Sequence, residues 1–92
     1  MDINECFERR LLRRIEPSKV KADNSIKIAE NKLLRAKELL DNEFFDEALI
    51  SSYTSMFHAS RAILYRDGIQ EKSHYAVYIY LKEKYSREHI PL

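Results

Sequence analysis

With 92 residues the chain can build one small hydrophobic core, so we expect a single domain over residues 1–92. Apolar residues make up 45% of it and charged residues 34%, which is typical of a folded domain, and one Gly with two Pro leaves too few turn residues for an all-β fold. The formal net charge of +1 argues against a general attraction to nucleic acid or to anionic membranes, so any basic binding surface must be local.

Standard signatures of cofactor, metal and nucleophile chemistry do not occur in the sequence. Cys6 is its one cysteine, which excludes an intramolecular disulfide and a thiolate metal cluster. There is no glycine-rich phosphate loop, no paired metal-ligand motif and no nucleophile elbow, so we expect neither metal nor cofactor. Because no apolar run has the length of a signal peptide or a membrane span, we expect a cytoplasmic protein without membrane association.

The first predicted element is an amphipathic helix over residues 2–16 that stops before Pro17. Asp2 precedes Glu5 by three residues, the spacing of a capping box at a helix start. The basic face of this helix either contacts a nucleic-acid backbone or lies in solvent beside acidic neighbours, and we favour the solvent interpretation. That face comprises Arg9, Arg10, Arg13 and, at its boundary, Arg14.

The second and third elements are predicted to be long helices. The second begins behind the N-cap Ser18 and runs to about Leu40, and the third follows a polar break at 41–43 and ends near Gly68. A stripe on each helix predicts a helix–helix seam, and the third helix, with the wider apolar arc, is predicted to be the most buried. The stripes are Ala22, Ile26, Ala29, Leu33, Ala36 and Leu40, and then Phe45, Leu49, Ser52, Met56, Ala59 and Ile63.

The fourth element, residues 75–81, is rich in β-forming residues and fits either a buried strand or a helix. We favour the helix, because a lone strand would leave its backbone groups unpaired and Ser73 is a suitable N-cap. The sequence therefore predicts an all-α, up-and-down four-helix bundle. Residues 86–92, which include Pro91, show no further periodicity.

Candidate functional residues lie where the third predicted helix ends and the fourth begins. His58 and Arg61 share one face of the third helix and are candidate ligand-binding residues. For His58 we favour the alternative of a satisfied histidine at a helix interface. Ser73 and His74, with a nearby arginine such as Arg66, can hold a phosphate at a helix N-terminus. The favoured alternative is that Ser73 only caps the helix and Arg66 complements the helix dipole.

Three groups of residues in this order and spacing resemble the HEPN domain, specifically its small stand-alone prokaryotic group, over roughly residues 22–85. They are Ala36-x-x-Leu39-Leu40-Asp41-x-x-x-Phe45-x-x-Ala48, then Ser52-Tyr53-x-x-Met56-Phe57-His58-Ala59-x-Arg61-Ala62-x-Leu64, then Gly68 with Lys72-Ser73-His74.

The resemblance implies a helical bundle that often dimerises and is frequently encoded beside a small nucleotidyltransferase-fold protein in toxin–antitoxin-like pairs. Several members of the family are metal-independent ribonucleases, with an Arg followed after four to six residues by a His, assembled across a dimer interface. The nearest match here is Arg66 to His74, with seven residues between them, which departs from that pattern. In such an enzyme His74 would be the acid or base for 2′-hydroxyl attack, and Arg66 would stabilise the charge on the phosphate.

On this basis we expect a nucleotide- or RNA-associated accessory protein that partners a small nucleotidyltransferase, with His58, Arg61 and Ser73 as binding residues. One alternative is a metal-independent endoribonuclease toxin with Arg66 and His74 as catalytic residues. Another is a structural interaction module without a nucleotide site. Relatives usually continue with at least one more helix, so we expect the chain to lack the last helix of the family and to form a homodimer that covers the exposed apolar surface.

Overall fold

The computed structural model describes residues 1–85. This part of the chain is mostly helical, with four helices, which confirms the predicted all-α bundle. A two-stranded sheet that the sequence did not predict joins the helices. The elements are α1 (Ile3–Glu8), β1 (Leu12–Arg14), α2 (Lys19–Asp41), α3 (Phe45–Arg66), β2 (Ile69–Glu71) and α4 (His74–Tyr85). None of the helices within residues 1–85 combines the length and the apolar character needed to cross a membrane.

The predicted first helix is wrong in its length, because α1 ends at Glu8. Its start is as predicted, with the Asp2 carboxylate accepting from the Glu5 N–H at 2.8 Å. Its end is a Schellman motif: Arg10 adopts φ 60°, its N–H donates to the Phe7 carbonyl, and the Leu11 N–H donates to the Cys6 carbonyl at 2.9 Å. The arginines of this segment are therefore divided between the end of α1 and β1, and form no continuous helical face.

The sheet pairs β1 antiparallel with β2, so that Leu12 lies opposite Glu71 and Arg14 opposite Ile69. Gly68 enters the sheet with φ 78°, and its carbonyl accepts from the Ile15 N–H at 2.9 Å. A Cβ atom at Gly68 would lie 2.9 Å from the Ile15 carbonyl oxygen. Glycine is thus required by both the backbone angle and the close approach of the neighbouring chain.

Helices α2 and α3 form an antiparallel hairpin with a seam of small residues. Across it the Ser51 hydroxyl donates to the Lys32 carbonyl at 2.8 Å, and the Ser55 hydroxyl donates to the Ala29 carbonyl at 2.7 Å. The predicted seam is correct at Ala29 and Ala36 and wrong in most of its large residues, since these remain exposed beside the seam. The buried seam residues are Ser25, Ala29, Ala36, Ala48, Ser51, Ser55 and Ala62, and the exposed large ones include Leu33, Leu40, Phe45, Leu49 and Met56.

The hydrophobic core lies at the end of the hairpin away from its loop, where α1, the sheet and α4 meet α3. Its fully buried side chains are Cys6, Leu12 and Leu64. The favoured helical interpretation of the fourth element is confirmed by α4. This helix runs in the same general direction as α3, because β2 first carries the chain back along α3.

Candidate functional site

The return of the chain through β2 places His74 beside the middle of α3. The His74 ring lies 4.1 Å from the Phe57 ring, measured between centroids, and its Nδ1 is hydrogen-bonded to the Tyr53 hydroxyl at 3.2 Å. Phe57 and Arg66 are nine positions apart on α3, about 13 Å along the helix axis. Within one chain, therefore, the structure does not bring the two candidate catalytic residues, Arg66 and His74, together.

Arg61 lies near His74, because both contact the Phe57 ring. Its guanidinium lies 5.7 Å from the centroid of the Phe57 ring, the same ring on which His74 stacks. Its Nε donates to the Glu71 carboxylate at 2.7 Å, and the Glu71 side chain is only 6% exposed. This ion pair fixes the guanidinium while leaving its side chain 30% exposed, so donors remain for an incoming anion.

His58 faces the α2–α3 interface, one turn before Arg61. Its Nδ1 is buried and has no hydrogen-bond partner among residues 1–85. Burial lowers the pKa of the imidazole, the cations Arg61 and Lys32 lower it further, and Glu71 opposes them weakly. The favoured interpretation required a satisfied histidine, whereas this ring nitrogen has no partner in the described part of the chain. A neutral His58 at physiological pH follows.

Ser73 caps α4. Its hydroxyl accepts from the Ala76 N–H at 3.4 Å, the arrangement expected of an N-cap. The cap interpretation is therefore confirmed, and the additional ligand-binding role for Ser73 stays a prediction.

An open groove of about 550 Å³ lies between α3 and α4. Its lining is mainly aromatic and aliphatic, with Tyr53 and Met56 on the α3 side and Tyr78 on the α4 side. His74 lies at the start of α4 and Tyr85 at its end, and both line the groove. Three exposed side chains on its rim, Tyr53, Met56 and Tyr78, offer an apolar surface to a ligand.

A second polar cluster, which the sequence did not indicate, surrounds Asp67 at the end of α3. The Asp67 carboxylate accepts hydrogen bonds from the hydroxyls of Tyr80, at 2.8 Å, and Tyr85. Arg66 belongs to this cluster, because its guanidinium donates to the Tyr85 hydroxyl at 3.2 Å and lies 3.5 Å from Asp67. No local pattern marks the tyrosines as partners of Asp67, since they belong to a different helix.

The cluster perturbs its own ionisable groups. Burial alone would raise the pKa of Asp67, but the hydrogen bonds from Tyr85 and Tyr80 and the charge of Arg66 lower it below its ordinary value. Burial and the carboxylate raise the pKa of Tyr80 well above its usual range. The arrangement holds a carboxylate and two protonated phenols together over the physiological pH range.

Comparison with known proteins gives one family and two curated relatives. The HEPN domain family matches residues 22–91 of the chain. The UPF0332 protein PH1297 of Pyrococcus horikoshii is 38% identical over 55 residues, which cover 60% of this chain and 39% of that protein. A Methanocaldococcus jannaschii protein named "Putative toxin MJ0605" is 35% identical over 52 residues, covering 56% of this chain and 39% of its own length. The matches thus span about two fifths of each relative. No solved structure matches the chain significantly.

Proposed function

Because the chain belongs to the HEPN domain family, we propose that it is a nucleotide- or RNA-associated accessory protein in a toxin–antitoxin-like pair, with a small nucleotidyltransferase-fold protein as its partner. The name of the Methanocaldococcus relative supports the toxin-like context. The binding surface in this proposal is the groove between α3 and α4 together with its cationic edge at Arg61 and His74.

The observation that carries the proposal is that Phe57 contacts both Arg61 and His74. A guanidinium fixed by one carboxylate suits a phosphate, because its remaining N–H groups are held in a planar fork. His74 and the exposed Lys72 are further donors at the start of α4. The exposed rings of Tyr53 and Tyr78 offer faces on which a base can stack. The phosphate and the base of one nucleotide thus both have binding residues on this surface.

The test is binding of a fluorescently labelled single-stranded RNA, measured by anisotropy, with a nucleotide titrated by calorimetry in parallel. We expect Tyr78→Ala to weaken binding at least fivefold, since one stacked base contributes about 1–3 kcal/mol. Tyr75→Ala is the matched control: Tyr75 is 55% exposed against 54% for Tyr78, but does not line the groove. Equal losses in the two variants, or no binding by the wild-type chain at low salt, would overturn the proposal.

Arg61 is tested by charge-preserving substitution, because Arg61→Ala would leave Glu71 buried without its partner. Arg61→Lys keeps the charge and loses the fork, so we expect weaker RNA binding with nearly unchanged folding. Arg35→Lys is the control, since Arg35 lies exposed on α2 and pairs only loosely with Glu38 at 3.9 Å.

An endoribonuclease remains the second candidate function, because Arg66 and His74 are both exposed and two copies of the chain can present them to one substrate. Incubation with structured and unstructured RNA in EDTA separates the candidates. Cleavage that is lost in both His74→Ala and Arg66→Ala would replace the accessory role by the enzyme. Absence of cleavage and of RNA binding, with tight binding to a nucleotidyltransferase partner, would indicate a purely structural interaction module.

A further inference from the structure

Among the described residues, no strand covers the outer edge of β1. The Ile15 N–H donates to the Gly68 carbonyl at 2.9 Å, and in an antiparallel ladder the residues bonded to the partner strand alternate with residues that face outward. Ile15 and Arg13 are therefore bonded toward β2, whereas the N–H and C=O groups of Leu12 and Arg14 point away from it. Within the described part of the chain these four groups have no hydrogen-bond partner. Unpaired backbone groups of this kind are a template on which a further strand can add.

The same segment carries a cluster of exposed arginines. They lie in the turn that follows α1 and on β1 itself, and none of them is ion-paired within the part of the chain that the structure describes. Because Leu12 is only 1% exposed, its neighbour Arg13 points to the opposite, outer face of the sheet. Arg14 lies over the Phe7 ring at 4.6 Å, which holds its guanidinium beside α1. We call this cluster, with the outer edge of β1, the arginine edge; its arginines are Arg9, Arg10, Arg13 and Arg14.

A recess of about 280 Å³ lies beside Arg14, on the inner face of the sheet. Phe7 and Ile69 form part of its apolar wall, and Arg14 and Lys84 are the cations that line it. Asp67 lines it as well, but two tyrosine hydroxyls already donate to this carboxylate. A side chain with an aliphatic stem and a carboxylate at its tip suits this recess, because the stem contacts the apolar wall and the carboxylate pairs with a cation.

We propose that the arginine edge binds an extended acidic segment of a partner protein, which adds to β1 as a third strand. The backbone of that segment pairs with the outward N–H and C=O groups of Leu12 and Arg14. Its residue opposite Arg13 shares the outer face of the sheet with that arginine, and its residue opposite Arg14 faces the recess, so both positions favour glutamate. The recess shares no lining residue with the groove between α3 and α4, and the proposal does not depend on nucleotide binding.

The alternation of donors and acceptors along β1 favours a peptide over a nucleic acid. A phosphate accepts from arginines and from N–H groups, but it has no donor for the carbonyls of Leu12 and Arg14. A peptide strand supplies N–H groups to those carbonyls and C=O groups to the outward N–H groups, and recesses for its side chains add specificity. The charge of the edge selects an acidic peptide, because residues 9–14 contain four arginines and no acidic side chain.

The first test measures binding of a fluorescently labelled synthetic peptide of alternating Glu and Val by anisotropy. We expect Arg13→Glu to weaken binding about tenfold, because it places like charges opposite each other. Arg35→Glu is the control, since it makes the same change of charge at an exposed position of α2, away from β1. A matched peptide with proline in place of the valines keeps the charge and loses N–H donors, so it should bind at least fivefold more weakly.

The second test locates the peptide on the backbone by amide hydrogen exchange, measured for each residue by NMR. We expect the amides of Leu12 and Arg14 to exchange faster than that of Arg13 in the free protein, and to slow at least tenfold when the Glu–Val peptide is saturating. No binding of this peptide at low salt, or equal affinity for the proline peptide, would overturn the proposal. So would a single-stranded RNA that loses affinity in Arg13→Glu and displaces the peptide without slowing these two amides, because the arginine edge would then be a nucleic-acid site.

Discussion

Asp67 is the residue that ties the end of α3 to α4. Tyr80 and Tyr85 donate to its carboxylate, and Arg66 lies beside it. The Asp67 side chain is 17% exposed, so these charge-assisted hydrogen bonds are formed largely out of water. A carboxylate that accepts from two phenols is suited to stabilise the fold only while it is ionised and they are protonated.

We predict that Asp67→Asn lowers the free energy of unfolding by about 1–3 kcal/mol at neutral pH, because hydrogen bonds to a charged group are replaced by weaker ones. The folded pKa of Asp67 is depressed, so its contribution is present above the ordinary pKa and is lost as pH falls through the folded value. The folded pKa of Tyr80 is raised, so its contribution is lost as pH rises above about 10, where the unfolded phenol ionises.

Urea denaturation at acidic, neutral and alkaline pH measures these effects. The wild-type chain should lose stability toward both extremes more steeply than Asp67→Asn. Asp23→Asn is the control, since Asp23 is an exposed carboxylate paired only with Lys19 and should change stability by less than about 0.5 kcal/mol. Parallel pH profiles for the wild-type chain and Asp67→Asn would contradict the assignment.

At the scale of the elements, two helices end in Schellman motifs that contain no glycine. In α1 the left-handed residue is Arg10, and in α2 it is Glu43, with φ 63°. After α2 the Phe44 N–H donates to the Leu39 carbonyl at 2.8 Å, and the Glu43 N–H donates to the Leu40 carbonyl at 3.0 Å. A left-handed conformation is unfavourable for side chains with a Cβ, so both caps are strained relative to a glycine cap.

These caps explain which helix boundaries could be predicted. The end of α2 was predictable to about one residue, because a polar break at 41–43 interrupts the apolar spacing. The end of α1 was not, because the apolar and basic residues around Arg10 continue a helical pattern and no glycine marks the stop. The strand that follows depends on pairing between Leu12 and Glu71, far apart in the chain, which local periodicity cannot report.

We predict that Glu43→Gly raises the free energy of unfolding by about 1 kcal/mol, since glycine adopts the left-handed conformation without steric opposition. Glu43→Ala separates conformation from charge: it removes the same carboxylate but keeps a Cβ, and should give no comparable gain. Chemical denaturation of both variants at a fixed protein concentration decides the point. Equal stabilisation by the two substitutions would show that charge, not backbone strain, dominates at this position.

At the scale of the whole molecule, the family and the helical class were predictable from the sequence, whereas the arrangement of the candidate site was not. The fourth helix and its Ser73 cap follow from local pattern, but the position of His74 follows from β2, which carries the chain back along α3. For that reason Arg66 and His74 lie apart within one chain, and Phe57 contacts both Arg61 and His74. The same organisation leaves the two halves of the hairpin with different amounts of buried apolar surface.

One half of the hairpin packs on the hydrophobic core, and the other carries only the small-residue seam. Near the core, Leu64 is fully buried, and α4 contributes further buried side chains. Toward the loop, Ala36 and Ala48 are buried in the seam, while the large residues beside them are exposed. Little apolar area holds the loop half in a single chain, so it is expected to open at lower free energy than the core half.

Hydrogen exchange measures this difference directly. In dilute protein we predict that amides around Leu64 and Ile79 exchange only through global unfolding, whereas those between Ala36 and Ala48 exchange through a local opening of lower free energy. Equal protection of both halves in dilute wild-type protein would contradict the prediction. It would mean that the seam alone stabilises the loop half as strongly as the hydrophobic core stabilises the core half.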